Sequence, residues 1–251
     1  MNFFVGVSFF FQGIALANKP GLRRYFWLPA GIGLSLTLMA LYFFGSSIIA
    51  AATPELPDWL SWLAWLIVPM LFVLLALASA WFMSFITIVI ASPLFSDLSS
   101  AVEGQVRDTA PATPSAPDAP STSNTKVPSL LATILNDLGR ELRKLRYHLP
   151  RLLGLLILSF IPVVNLIAPL VGGVYGAWIM SVQFSDYAAD NHDMSFTDSL
   201  AQLKNNLMPA LGFGAITSLA MAIPLLNFFL LPAAVAGGTL LWRHNQSNNL
   251  E

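Results

Sequence analysis

Five consecutive residues, Pro20-Gly21-Leu22-Arg23-Arg24, combine the groups that an oxyanion site needs. They stand where an apolar segment begins. The first amides of a helix have no partner within it, and the helix dipole places partial positive charge at that end. A glycine lets an anion approach the backbone, and arginine adds a rigid fork of donors suited to a tetrahedral oxyanion. Gly21, Leu22, Arg23 and Arg24 are therefore the candidate anion-binding residues. The same positive charges also suit an anchor resting on lipid phosphate, and spacing alone leaves both readings open.

Other polar residues are candidates for a pathway or gate. Glu103 precedes Arg107 in a polar stretch and is placed to pair with Arg140, Arg143 or Lys144. Charge networks of this kind, involving Glu103 and Arg140, border pores in channels, although many such pairs are solvated surface contacts. Asn165 and Asn227 offer amide groups to a passing solute, or else cap the helices that follow them. The run Asp186-Tyr187-Ala188-Ala189-Asp190-Asn191-His192-Asp193 is rich in hard ligands but lacks the spacing of a metal loop, so it is read as a turn or loop. No metal site and no cofactor are expected.

Missing motifs narrow the class. There is no Gly-x-x-x-x-Gly-Lys-Ser/Thr loop, no Gly-x-Ser-x-Gly and no His-Glu-x-x-His, which argues against an enzyme. Apolar runs at 25–52 and 59–95 carry no ionisable Asp, Glu, Lys, Arg or His, so there is no obvious proton relay and passive conduction is favoured. The net charge of −1 excludes a broadly basic nucleic-acid surface. Without cysteine, disulfides and thiol chemistry are impossible.

The elements that must position these residues belong to an integral membrane protein. The 251 residues are 56% hydrophobic and only 10% charged, against roughly 25% charged in soluble domains. The spacing predicts an all-α membrane domain over 1–251. Residues 1–18, rich in phenylalanine and without a positive leader region, read as an interfacial helix rather than a cleaved signal. Residues 25–52 give about 28 apolar positions, enough to span a bilayer that needs ~20. Residues 59–95 give about 37, near 55 Å of helix at ~1.5 Å each, so this helix must tilt, project or kink at Pro69. A polar loop is expected over 96–150. Within it lie a flexible Pro/Ala-rich linker at 108–128 and a basic amphipathic surface helix at 129–148, with Leu131, Leu135, Leu138, Leu142 and Leu145 on one side.

One punctuation pattern then appears twice. Ile161-Pro162-Val163-Val164-Asn165 recurs as Ile223-Pro224-Leu225-Leu226-Asn227, each followed by another proline (Pro169, Pro232) and a glycine pair (Gly172-Gly173, Gly237-Gly238). Proline removes an amide donor, and irregular backbone at membrane depth must be shielded or line a wet cavity. Residues 152–182 and 207–242 are therefore read as two broken, partly penetrating helical hairpins, a pattern associated with solute pathways. A kinked span fits each segment too, and the glycine pairs suit close helix packing. The acidic stretch 183–206 points to the membrane face opposite the basic helix. Lys and Arg flanking the long runs place both termini and the large loop in the cytoplasm.

Taken together these residues resemble the CysZ-type sulfate permeases of the bacterial inner membrane. The resemblance rests on Pro20-Gly21-Leu22-Arg23-Arg24, Leu56-Pro57-Asp58-Trp59-Leu60, Ala91-Ser92-Pro93-Leu94-Phe95 and Tyr147-His148-Leu149-Pro150-Arg151. It continues through Gln183-Phe184-Ser185-Asp186-Tyr187 with Asp190-Asn191-His192, and through Phe213-Gly214-Ala215-Ile216-Thr217-Ser218-Leu219. The Pro- and Ala-rich linker at 108–128 departs from that pattern. The resemblance implies multi-pass insertion, sulfate uptake for assimilation and cysteine synthesis, and inhibition by sulfite. It implies homo-oligomers, with protomers inserted in opposite orientations among membrane lipids, and a sulfate site at Gly21, Leu22, Arg23 and Arg24. The rival class is a non-transporting membrane scaffold whose arginines bind lipid phosphate.

Overall fold

The computed structural model describes residues 2–16, 19–52, 62–109 and 130–248, and every regular element among them is helical, without a strand. Of the linker expected at 108–128, residues 108–109 are instead the end of a helix, and the remainder, like the acidic turn at 53–58, lies outside the described residues. Eight α-helices follow in order: α1 Phe3–Leu16, α2 Arg23–Ala52, α3 Ala64–Thr109, α4 Leu130–Ser159, α5 Ala168–Asn191, α6 Phe196–Asn205, α7 Leu207–Met221 and α8 Pro224–Asn248.

Among the described residues, three helices are long and apolar enough to cross a membrane: Arg23–Ser47, Ala64–Met83 and Leu226–Asn248. The third falls in the segment read from sequence as the second arm of a hairpin. Burial separates them, since 72% of the α8 window is inside the fold against 6% of the α3 window. α8 is the central post, and the beginning of α3 stands outside the core.

α3 spans 46 residues, about 69 Å at ~1.5 Å each, more than twice a ~30 Å hydrocarbon core. It does not stop where the sequence turns polar after Phe95; the polar residues 96–109 continue the helix. Leu98 and Val102, both fully buried, explain the continuation, because they recur at helical spacing below Phe95 and join the core. α4 likewise runs on through Pro150 to Ser159, beyond the expected end at 148.

The core gathers α1, α5, α7, α8 and the second half of α3 around Phe10, Phe95, Phe184, Phe213, Leu231 and Leu241. α1 enters it on one face, burying Phe10 and Leu16 while Phe4 and Phe11 stay exposed. Small residues make this possible: a Cβ at Gly237 would meet the carbonyl of Phe9 and the ring of Phe213, and one at Gly238 would meet the carbonyl of Phe184. The first glycine pair behaves differently, since Gly172 and Gly173 face open space. The packing role expected of both pairs belongs to the second alone. Trp178 and Trp242 are buried too.

Both Ile-Pro corners break the helix. After α4 the chain turns through residues 160–163, makes a short 3-10 turn at Val164–Leu166 and enters α5 with proline in its first turn. Val163 has φ 71°, a backbone state that a β-branched residue adopts only under strain. α7 ends at Met221, and α8 starts on Pro224 itself, where a missing amide costs nothing. α6 is started by Ser195, whose hydroxyl accepts from the Asp198 amide at 3.2 Å.

Candidate functional site

The turn that carries the anion-site motif is tightly built. Gly21 has φ 88°, and a Cβ added there would meet nothing within 4 Å, so glycine is required by the backbone rather than by space. The Leu22 amide donates to the Lys19 carbonyl at 3.2 Å, and the Leu22 side chain is buried to 1% exposure. Leu22 therefore pegs the turn to the core, with its amide already committed in this conformation. Gly21, Arg23 and Arg24 lie exposed around it. The Arg24 guanidinium donates to the Tyr25 hydroxyl at 2.6 Å and sits 4.6 Å from that ring's centroid. This neutral phenol orients the cation without cancelling its charge.

The end of α3 holds the turn in place. Gln105 Nε2 donates to the Pro20 carbonyl at 3.1 Å. Two residues earlier, Glu103 Oε2 lies 2.7 Å from His192 Nε2, while its second carboxylate oxygen is buried without a partner. His192 stacks on Trp242 with centroids 4.5 Å apart, and Arg243 donates to the Glu103 carbonyl at 3.2 Å. Asn191 Nδ2 donates to the Ser96 carbonyl at 2.9 Å. The end of α3 is thus joined to the end of α5 and to α8. The partner of Glu103 is His192, not Arg140, Arg143 or Lys144.

Arg140 faces carboxylates instead. Its Nε and Nη2 donate to the two oxygens of Asp186, each at 2.7 Å, and Nη1 reaches Asp190 Oδ1 at 2.7 Å and the Met194 carbonyl at 3.0 Å. Lys144 Nζ lies 2.9 Å from Asp186 Oδ2 and 2.7 Å from Glu141 Oε1. The Asp186 side chain is 1% exposed. Burial alone would raise its pKa, but hydrogen bonds from Arg140 and the charge of Lys144 outweigh that effect and hold it below the ordinary carboxylate range. Burial likewise opposes the charge on Lys144, and Asp186 and Glu141 reverse that, so its pKa is raised.

This arrangement overturns the reading that puts the acidic stretch across the membrane from the basic helix, because Asp186 and Asp190 are directly bonded to α4. It also gives that stretch a role other than a turn: residues 186–191 are the last turns of α5. Sequence reasoning overlooked this pairing, although a signal exists. Arg140, Lys144 and His148 recur every four residues, as do Asp186 and Asp190, so each set shares one helix face. Among the described residues no group of three potential metal ligands is assembled.

His148 completes the buried face of α4. Its Nδ1 is 2.7 Å from the Tyr175 hydroxyl. Burial, with the nearby charges of Arg151 and Lys144, lowers its pKa to about 4. The two corner asparagines differ from their expected capping role. Asn165 is exposed inside the 3-10 turn, α5 has no side-chain cap, and Asn227 stands in the first turn of α8. Asn227 is buried, and its side-chain oxygen lacks a partner. The structure does not bring Asn165, Asn227, Glu103 and Arg140 together through hydrogen bonds among the described residues.

Comparison with known proteins adds a family. Residues 9–232 match the family described as sulfate transporter CysZ/etoposide-induced protein 2.4. A protein of Pseudomonas fluorescens (strain Pf0-1) named sulfate transporter CysZ is 39% identical over 251 residues, covering 98% of this chain and 96% of that protein. A protein of the same name from Pseudomonas aeruginosa (strain LESB58) is 40% identical over 241 residues, covering 94% of each. Another, from Salmonella typhimurium (strain LT2), is 33% identical over 94% of this chain and 91% of its own length.

Proposed function

Because the chain belongs to the sulfate transporter CysZ/etoposide-induced protein 2.4 family, we propose that it carries sulfate across the bacterial inner membrane, where it is a multi-pass permease. The observation that carries this reading beyond family membership is the turn at the start of α2. Two exposed arginines follow a left-handed glycine there, beside the first amides of a long apolar helix.

A dianion leaving water loses a large hydration energy, and only charge and several hydrogen bonds together can offset that loss. Arg23 and Arg24 supply the charge. Arg24 is held in register by the Tyr25 phenol, and Gly21 leaves the backbone open to the ligand. Leu22 serves mainly as the buried peg, and releasing its amide from the Lys19 carbonyl would add a donor. Specificity over chloride follows from several fixed donors matched to a tetrahedral ligand; sulfite, similar in charge and donor pattern, competes as an inhibitor. The absence of ionisable residues from the long runs at 25–52 and 59–95 supports passive entry down the gradient. The two helices α2 and α3, with the broken pairs α4–α5 and α7–α8 as partly penetrating hairpins, frame the path, along which Glu103, Arg140, Asn165 and Asn227 are the candidate polar stations. Sulfate delivered in this way feeds sulfur assimilation and cysteine synthesis.

Proteoliposomes containing purified protein should take up labelled sulfate faster than empty liposomes, with little competition from chloride and strong competition from sulfite. Uptake at the empty-liposome rate, with intact folded protein, would leave the scaffold reading, in which Arg23 and Arg24 hold lipid phosphate.

A further inference from the structure

We infer that Gln105 is a positioning residue of the anion site. It fixes the peptide plane between Pro20 and Gly21 so that the Gly21 amide is presented to the bound oxyanion. This role rests on the reading that sulfate binds beside Arg23 and Arg24.

Lys19-Pro20-Gly21-Leu22 is a β-turn, closed by the Leu22 amide on the Lys19 carbonyl at 3.2 Å. Proline in its second place and a φ of 88° in its third are the marks of a type II turn. A type I turn differs by a half rotation of the central peptide, which here joins Pro20 to Gly21, and closes with the same hydrogen bond. Proline suits the second place of either form, and glycine takes positive and negative φ with similar ease. These four residues therefore do not choose between the two forms by themselves.

The two forms send one carbonyl and one amide in opposite directions. The peptide is trans and planar, so its C=O and its N–H point opposite ways. Gln105 Nε2 donates to the Pro20 carbonyl at 3.1 Å and holds that oxygen toward the end of α3. The Gly21 N–H is thereby aimed away from α3, on a residue that is exposed together with Arg23 and Arg24. Among the described residues this amide meets no carbonyl, whereas the Leu22 amide is already used in closing the turn.

Gln105 can hold the plane because its own helix is fixed. Just before it, Leu98 and Val102 are fully buried, Asn191 donates to the Ser96 carbonyl, and Arg243 donates to the Glu103 carbonyl. A neutral amide suits the task. It donates to the carbonyl and brings no charge that would compete for the anion or repel it.

Pro20-Gly21 is the one Pro-Gly pair in the sequence. Protein isotope-labelled at proline carbonyl carbons and glycine nitrogens therefore gives a single doubly labelled signal by NMR in detergent. Its carbon reports the Pro20 carbonyl, and its amide reports Gly21. In wild type, sulfate should move the amide signal and chloride should leave it in place. Gln105→Met keeps the reach of the side chain and removes the donor. It should move the carbon signal in sulfate-free protein and shrink the amide response to sulfate. Sulfate affinity should fall about tenfold at nearly constant Tm, as expected for one hydrogen bond to a charged group. Should Gln105→Met fail to fold, Gln105→Ala takes its place with the same expectations. A wild-type amide that ignores bound sulfate overturns the proposal, and so does a folded Gln105 variant that binds sulfate as wild type does. A wild type that binds no sulfate, or binds it equally after Arg23→Ala with Arg24→Ala, overturns the sulfate reading itself and the role of Gln105 with it.

Discussion

Two clusters of cationic side chains occupy opposite situations in this molecule. Arg23 and Arg24 are exposed at a turn, with Arg24 resting on a neutral phenol. Arg140 and Lys144 are buried, and carboxylates claim their hydrogen-bond donors. A buried cation must be matched by fixed acids or the fold loses more than it gains, so the second cluster is committed to holding α4 on α5. An exposed cation loses little by meeting an anion from solution. Both clusters share a residue type, yet one lies open to solvent and the other is closed by carboxylates of its own fold.

The largest test of that contrast is Asp186→Ala. It leaves Arg140 and Lys144 buried with reduced compensation and should cost about 3–5 kcal/mol, read as a large fall in Tm in detergent. An unchanged Tm would show that the network does not hold the fold together.

Arg23→Ala with Arg24→Ala should do the reverse. Tm should stay nearly constant while sulfate affinity falls by about 100-fold, since hydrogen bonds to charged groups contribute roughly 1.5–3 kcal/mol each. Equilibrium binding of labelled sulfate measures this, and equal affinity in wild type and variant would remove the turn from the mechanism.

Acid should act on the buried cluster. Asp186 has a lowered folded pKa, so its contribution is present above the unfolded value of 3.8 and is lost as pH falls through its still lower folded value. His148, lowered from 6.5 to about 4, is favoured neutral in the fold. Its contribution is complete above about pH 6.5 and declines between there and pH 4. Tm should therefore fall in two stages as pH is reduced, and His148→Gln should abolish the first. Retention of that first stage in His148→Gln would assign it to another group.

The smallest effect concerns Gly21 and Val163, which with Asp193 are the residues of positive φ among those described. Gly21 meets its positive φ without a side chain, whereas Val163 meets the same demand with a β-branched one that is 78% exposed. Val163→Gly should relieve strain and raise stability by about 1 kcal/mol, near 2–4 °C in Tm for a chain of this size. A lower Tm would mean that the exposed valine has a partner in the membrane or in a second protomer.

Much of this was legible along the chain. The apolar runs announced helices and a membrane because their length and lack of charge leave few alternatives. The Ile-Pro corners announced breaks because proline cannot donate. The turn at Gly21 and the exposure of Arg23 and Arg24 were readable because the glycine and the two charges lie within five consecutive residues. Partner choice was not readable in the same way. Asp186 lies 46 positions from Arg140, and Glu103 lies 89 from His192, so nothing local ranks one acid above another. Tertiary packing also decided that α3 continues past Phe95, that only the second glycine pair lies against backbone, and that neither Asn165 nor Asn227 caps a helix. Sequence determines what each segment is able to bury; which face it buries, and against which distant residue, depends on the whole set of helices competing for the same core.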